Sequence, residues 1–190
     1  MIPQWNSSGV IPPIRPHASG ASRDRSPYTA QFSEVVSQFG TSVERIAILQ
    51  GLLEYRRELA LRGIVNGFQW LDGSFMENKE ALSSAPPNDI DVVTFFHLPK
   101  GQTQQTFFST IADLFNNNIT KPLYHVDAYP WVLGKPLERE DVKMISYWYS
   151  MWSHRRSGMW KGFVQLELSS SADQVAEKLL NITNFEGAAS

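Results

Sequence analysis

The triplet Asp89-Ile90-Asp91 opens an apolar stretch that runs to Phe96. Side chains two apart on a strand share a face, so Asp89 and Asp91 are expected to project together while Ile90 and Val92 enter the core. Two carboxylates about 5 Å apart repel by roughly 3 kcal/mol at an effective dielectric near 20, and a divalent cation is an ordinary compensation. Oxygen donors of this kind suit Mg²⁺ or Mn²⁺, which bridge carboxylates to substrate phosphates. Upstream, Gly73-Ser74 sits where a strand feeds a helix. Such a turn aims backbone N–H groups and a hydroxyl at phosphate oxygens, and glycine permits close approach. A third acid, Asp127, stands in His125-Val126-Asp127-Ala128-Tyr129. Three convergent carboxylates match what a two-metal phosphoryl or nucleotidyl transfer site requires.

The elements that must carry these residues are read from periodicity and stop signals. Thr41-Ser42-Val43-Glu44 forms a capping box for a helix closed by Arg62-Gly63, with Ile46, Leu49, Leu53 and Ala60 on one face. Ile64 to Leu71 reads as a strand, Ser74 to Leu82 as a short helix and Ser83 to Asn88 as a loop. Asp89 to Phe96 is then a buried strand, Thr103 to Asn116 a helix and Pro122 to Tyr129 a third strand by its alternation. Glu138 to Trp152 is an aromatic-rich helix, Gly162 to Leu168 a fourth strand and Ser171 to Leu180 a terminal helix. The expected fold is α/β, a short mixed β-sheet with packed helices. Residues 1–30 hold five prolines and read as an extended strap, because Trp5, Val10, Ile11 and Ile14 favour packing over a solvated tail. Residues 31–190 read as one domain.

Composition narrows the function. The 190 residues carry 17 Lys and Arg against 19 Asp and Glu, a net charge of −2, so any grip on nucleic acid is local. The absence of cysteine excludes disulfides, thiolate-bound metal and a thiol nucleophile. No apolar run approaches a membrane span and the start lacks signal-peptide character, so a cytoplasmic protein with no membrane partner is expected.

The order Gly73-Ser74, short helix, Asp89-Ile90-Asp91, then Asp127 on a later strand resembles the DNA polymerase β-like nucleotidyltransferases. The resemblance spans about Ile64 to Tyr129, with 14 residues between Ser74 and Asp89. The whole chain also looks like a group of uncharacterised bacterial and phage-associated proteins that share a Met-Ile-Pro start and a late Arg-x-Gly-x-x-Lys-Gly element, here Arg156 to Gly162. The superfamily resemblance implies transfer of a nucleoside monophosphate from an NTP to a hydroxyl of a protein or a tRNA or other RNA acceptor. It implies that Asp89 and Asp91 hold Mg²⁺ (or Mn²⁺), that Asp127 completes the metal site and acts as or supports the base, and that Gly73 and Ser74 bind the β and γ phosphates. By analogy the setting is a toxin–antitoxin or antiviral defence system, and the short chain implies a cognate partner protein or a homo-oligomer to complete the cleft.

Competing readings stand beside these. Glu77 and Lys79 either orient phosphates or lie on a solvated helix face, and His154-Arg155-Arg156 with Lys161 either meets phosphates or forms a charged surface loop. Asp127 either serves the site or pairs structurally with His125, and Asp72 reads as a turn cap rather than a metal ligand. Tyr147, Trp148, Trp152 and Trp160 either stack a base or pack as core and interface. Two rival functions remain: a catalytically silent nucleotide-binding or partner-binding module of the same fold, and a metal-dependent phosphodiesterase or nuclease.

Overall fold

The computed structural model describes residues 1–83 and 85–187; Ser84, within the expected loop, lies outside them. Five strands form one open mixed sheet in the order β1-β5-β2-β3-β4: β1 Tyr28–Ala30, β2 Gly67–Asp72, β3 Ile90–His97, β4 Val126–Leu133 and β5 Val164–Glu167. β1 runs parallel to β5 and β3 parallel to β4, while β2 is antiparallel to both of its neighbours.

Strand alternation gives the sheet two unlike faces. Leu71, Ile90, Val92, Phe96, Val126, Ala128 and Leu166 face the main core. That core is covered by α1 (Phe32–Phe39), α2 (Val43–Leu61), α4 (Gln104–Ile111), α5 (Asn117–Tyr124) and α7 (Ser170–Gly187). Each fully buried Leu, Ile or Phe there contributes about 1.5–3 kcal/mol. Trp70, Val93, Phe95 and Phe163 point the other way, against Trp152 of α6 (Arg139–Trp152). The short α3, Lys79–Ser83, follows a single 3₁₀ turn over Ser74–Met76.

Most expected elements are present, with three differences. The Pro122 to Tyr129 strand is not one element: α5 continues to Tyr124 with Pro122 inside it, His125 turns the chain at φ +54°, and β4 begins at Val126. The cause is the Asn116 side chain, which accepts from Asn118 N–H at 3.1 Å and starts a helix that the downstream alternation conceals. β4 is an edge strand, which is where Pro130 can be tolerated without losing a ladder bond. The Ser74 to Leu82 helix is split by Glu77 in extended conformation. Neither α1 nor β1 is anticipated by the sequence reading.

The N-terminal residues lie against the body. Ile2, Val10 and Ile11 are buried, Trp5 Nε1 donates to the Met76 carbonyl at 2.8 Å, and Gly9 and Ile11 carbonyls accept from Asn78 and Gly162 N–H groups. The strap therefore braces the chain on both sides of the candidate site described next.

Candidate functional site

Asp72, Asp91 and Asp127 stand side by side at the ends of three adjacent strands. In the β2–β3 register Asp72 is paired with Asp91, and in the β3–β4 register Asp91 is paired with Asp127. All three belong to the sheet face that α6 covers, because their neighbours Leu71, Ile90, Val92 and Val126 face the main core. Asp89 lies one residue ahead of β3.

Two lysines neutralise this row. Lys121 on α5 places Nζ 2.6 Å from Asp127 Oδ2 and 3.1 Å from Asp89 Oδ2. Lys161, buried, reaches Asp72 at 3.0 Å, Glu77 at 3.1 Å and the Gly73 carbonyl at 3.1 Å. Burial would lower Lys161, but the Asp72 and Glu77 carboxylates more than offset it and hold the ammonium above its ordinary range. The hydrogen bond to Asp127, aided by Asp89, raises Lys121 despite some desolvation. Asp91 has no ion pair among the described residues. Burial and the charges of Asp127 and Asp89 push its carboxyl up to about 6. Burial raises Asp72 to about 7, with Lys161 opposing the shift.

The Gly73-Ser74 turn is held from behind. Gly73 sits at φ +86°, where a Cβ would overlap the Asp91 carboxylate, so only glycine fits. Arg45, fully buried on α2, donates to the carbonyls of Phe75 and Glu77 and pairs with Glu80 at 2.7 Å. The Glu77 carboxylate in turn holds Lys161 and, at 2.9 Å, Arg155 Nε. Backbone turn, acid row and the loop after α6 thus form one connected unit.

In front of this unit opens a cleft of about 760 Å³. Its floor includes Asp72, Asp89 and Asp91, its turn side Gly73, Ser74 and Lys79, and its far wall Tyr129, Trp148, His154, Arg155 and Arg156. Lys161 lines it as well. Asp127 does not line the cleft; it pairs with Lys121 and lies against Tyr129, which does line it. Lys79 Nζ donates to the Pro86 carbonyl at 3.1 Å, and Arg156 is exposed with no ion pair among the described residues.

Family comparison gives a plain result: a model described as a family of unknown function, DUF6932, matches residues 3–167. The chain belongs to this family. No curated protein matches it, and no solved structure does. Nothing in these comparisons ties this DUF6932 chain to the polymerase β-like nucleotidyltransferases.

The geometry corrects the metal expectation. Among the described residues of the DUF6932 chain, no group of three or more His, Cys, Asp or Glu could hold a metal ion. The assignment of Mg²⁺ or Mn²⁺ to Asp89, Asp91 and Asp127, and with it the description of the chain as a magnesium- or metal-binding protein, is overturned. The physical reason is that the compensating charge is built in: the Lys121 ammonium occupies the space between Asp89 and Asp127, and Lys161 sits on Asp72. Asp127, bound to Lys121, is also poorly placed as a base. His125, expected as a structural partner of Asp127, instead turns the chain out of α5, and Asp127 pairs with Lys121.

Sequence reasoning missed Lys121 and Arg45, and it placed Glu77 on phosphates or on a solvated helix face, whereas Glu77 is buried and holds Lys161 and Arg155. Lys121 was hidden because the segment around it reads as the approach to a strand, so its helical position six residues before Asp127 went unseen. Arg45 follows the expected Thr41–Glu44 box and reads as a first-turn surface residue; the helix is in fact capped one residue later, Ser42 Oγ accepting from Arg45 N–H at 3.3 Å. No helix among the described residues is long and apolar enough to cross a membrane.

Proposed function

We propose that the cleft binds a nucleoside triphosphate and that the chain is a nucleotide-binding module of polymerase β-like nucleotidyltransferase architecture whose acidic row is neutralised from within. The observation that carries this reading is the Lys121 bridge between Asp89 and Asp127, together with the cations left over at the rim. With Asp72, Asp89 and Asp127 paired to lysines, Arg156 and Lys79, the latter held by the Pro86 carbonyl alone, are cleft cations with no carboxylate partner among the described residues and can meet an anion. Trp148 and Tyr129, 4.6 Å apart by ring centroids, offer an aromatic wall for a base, and the volume is within the range of small-ligand sites. The test is calorimetric titration of the full chain with ATP, GTP, CTP and UTP in chelator-treated buffer. Saturable binding, weakened about tenfold or more by Arg156→Ala, is expected; no binding of any of the four overturns the reading.

A second reading, nucleotidyl transfer to a hydroxyl of a protein or RNA acceptor, is favoured by Asp91. Its carboxyl is unpaired, central in the row and raised to about 6, which suits a base working near neutral pH. The acceptor oxygen would attack the α phosphorus, its proton passing to Asp91 and pyrophosphate leaving toward Lys79 and Arg156. Label from α-³²P NTP on host RNA or protein, lost in Asp91→Asn while NTP binding persists, distinguishes transfer from binding alone.

A further inference from the structure

The chain after α6 turns back on itself as a tight hairpin. Lys161 N–H donates to the Ser153 carbonyl, Arg155 N–H to the Met159 carbonyl and Gly158 N–H to the Arg155 carbonyl, each at 2.8 Å, and His154 bridges Trp160. The Arg155 backbone is therefore bonded through both of its polar groups. Its side chain is held from the other wall of the cleft: Glu77 Oε2 lies 2.9 Å from Arg155 Nε, while Glu77 Oε1 lies 3.1 Å from Lys161 Nζ. Glu77 is buried, and each of its oxygens meets a cation. The two cations differ in what they have left. An ammonium has three donors, and three protein oxygens, from Asp72, Glu77 and the Gly73 carbonyl, already lie 3.0, 3.1 and 3.1 Å from Lys161 Nζ, so none remains for a ligand although Lys161 lines the cleft. A guanidinium has five donors, and the Arg155 pair is made through Nε. The Arg155 side chain is 27% exposed, lines the cleft and meets no other carboxylate among the described residues.

We infer that Glu77 is a positioning residue, which holds Arg155 by Nε so that Nη1 and Nη2 stand as a preformed fork for a phosphate group in the cleft. The fork rests on the reading of the cleft as a triphosphate site, and only for its phosphates, not for what the base meets. Charge is not what Arg155 adds: Asp72 and Glu77 balance Lys161 and Arg155, and the cleft cations without a carboxylate partner among the described residues are Lys79 and Arg156. What it adds is direction. The guanidinium is planar, and two parallel N–H···O bonds to one phosphate need that plane fixed. An arginine free in solvent gives up rotamer freedom when it binds; one clamped by backbone bonds and by a buried carboxylate has given it up on folding, so more of the contact is expressed as affinity. With Lys79 and Arg156 lining the same cleft, the anion that uses all three cations is a chain of phosphates rather than a single carboxylate.

The test is calorimetric titration of the full chain with inorganic tripolyphosphate and, separately, with each of the four NTPs, in chelator-treated buffer at neutral pH. Arg155→Met is expected to weaken tripolyphosphate binding about tenfold or more, and Arg155→Lys to weaken it as much, since an ammonium keeps the charge without the fork. Glu77→Gln should weaken binding severalfold in the otherwise wild-type chain and add nothing once Arg155→Met is present. A merely structural Glu77, acting through Lys161 and the Gly73 turn, would weaken binding equally in both backgrounds. Glu77→Asp, which keeps the charge and withdraws the oxygens by one methylene, is the second variant and should follow the same pattern. Folding is read separately by circular dichroism and the urea midpoint, and Arg155→Met leaves Glu77 its Lys161 partner. Affinity indifferent to Arg155→Met, full retention in Arg155→Lys, or additive effects of Glu77→Gln and Arg155→Met overturn the inference. Tripolyphosphate binding that follows the expected pattern without any NTP binding would overturn the nucleotide reading and leave the fork standing; binding of neither overturns both.

Discussion

Lys121 Nζ lies 2.6 Å from Asp127 Oδ2, and the two residues belong to elements separated only by His125. The left-handed turn at His125 folds α5 back beside β4, and Asn117 Oδ1 fastens the pair by accepting from Ala128 N–H at 2.8 Å. The ammonium is thereby delivered by local geometry to a row of acids that distant strands assemble. Lys121 is 42% exposed by side chain, so solvent screens the bridge. Lys121→Gln is expected to cost about 1 kcal/mol at pH 8, read as a shift of the urea midpoint, and to raise the Asp91 carboxyl further, because Lys121 at present opposes that shift. An unchanged midpoint and an unchanged Asp91 titration would show the bridge to be electrostatically idle.

Asp91 makes stability depend on pH in an unusual direction. Its folded-state carboxyl titrates near 6, above the ordinary 3.8, so between those values the native state binds more protons than the unfolded chain. Stability from this group is full below the unfolded value and is lost as pH rises through the folded one. Asp72, raised to about 7, acts in the same direction. Asp91→Asn should therefore stabilise the chain at pH 8 by on the order of 2 kcal/mol and flatten the urea-midpoint profile between pH 4 and 6. A steeper profile in the variant would reverse the sign.

The parts of this architecture that repeat a period were readable. α2, β2, β3 and α6 follow from capping residues and apolar spacing within single segments, and the Gly73-Ser74 turn from its two residues. What was not readable is partnership across the sheet. That Asp72 joins the acid row follows from the register of β2 against β3, a property of pairing that no local pattern carries. Lys121 and Arg45 were hidden for a related reason: each is a charged residue on a helix, which by itself describes a solvated face. Only the fold shows that one reaches 3.1 Å to Asp89 and that the other is fully buried between the rings of Trp5 and Phe75.

Arg45 supplies a stability test of the brace behind the cleft. Its guanidinium spends four hydrogen bonds on Phe75, Glu77 and Glu80, and removal leaves two buried carbonyls and a carboxylate unsatisfied. Arg45→Met is expected to cost about 3–5 kcal/mol, measured by urea unfolding at neutral pH. Arg45→Lys should recover only a part, since an ammonium cannot reproduce the planar fork that spans both carbonyls and the acid. Full recovery by lysine would mean that charge alone, without geometry, holds the turn.

Gly73 and Asp91 give a sharper test, because two separable effects meet at one position. A side chain at Gly73 is strained by φ +86° and also strikes the Asp91 carboxylate. The backbone effect is worth about 1 kcal/mol or more for a non-glycine residue held there, and the steric effect adds to it. Gly73→Ala alone carries both; Gly73→Ala with Asp91→Ala carries only the first. In a double-mutant cycle read by urea unfolding, the two substitutions should therefore be non-additive, the pair costing less than the separate effects together. Additive effects would mean that the turn shifts away from β3 when alanine enters, and that glycine is needed at this position for its backbone angle alone.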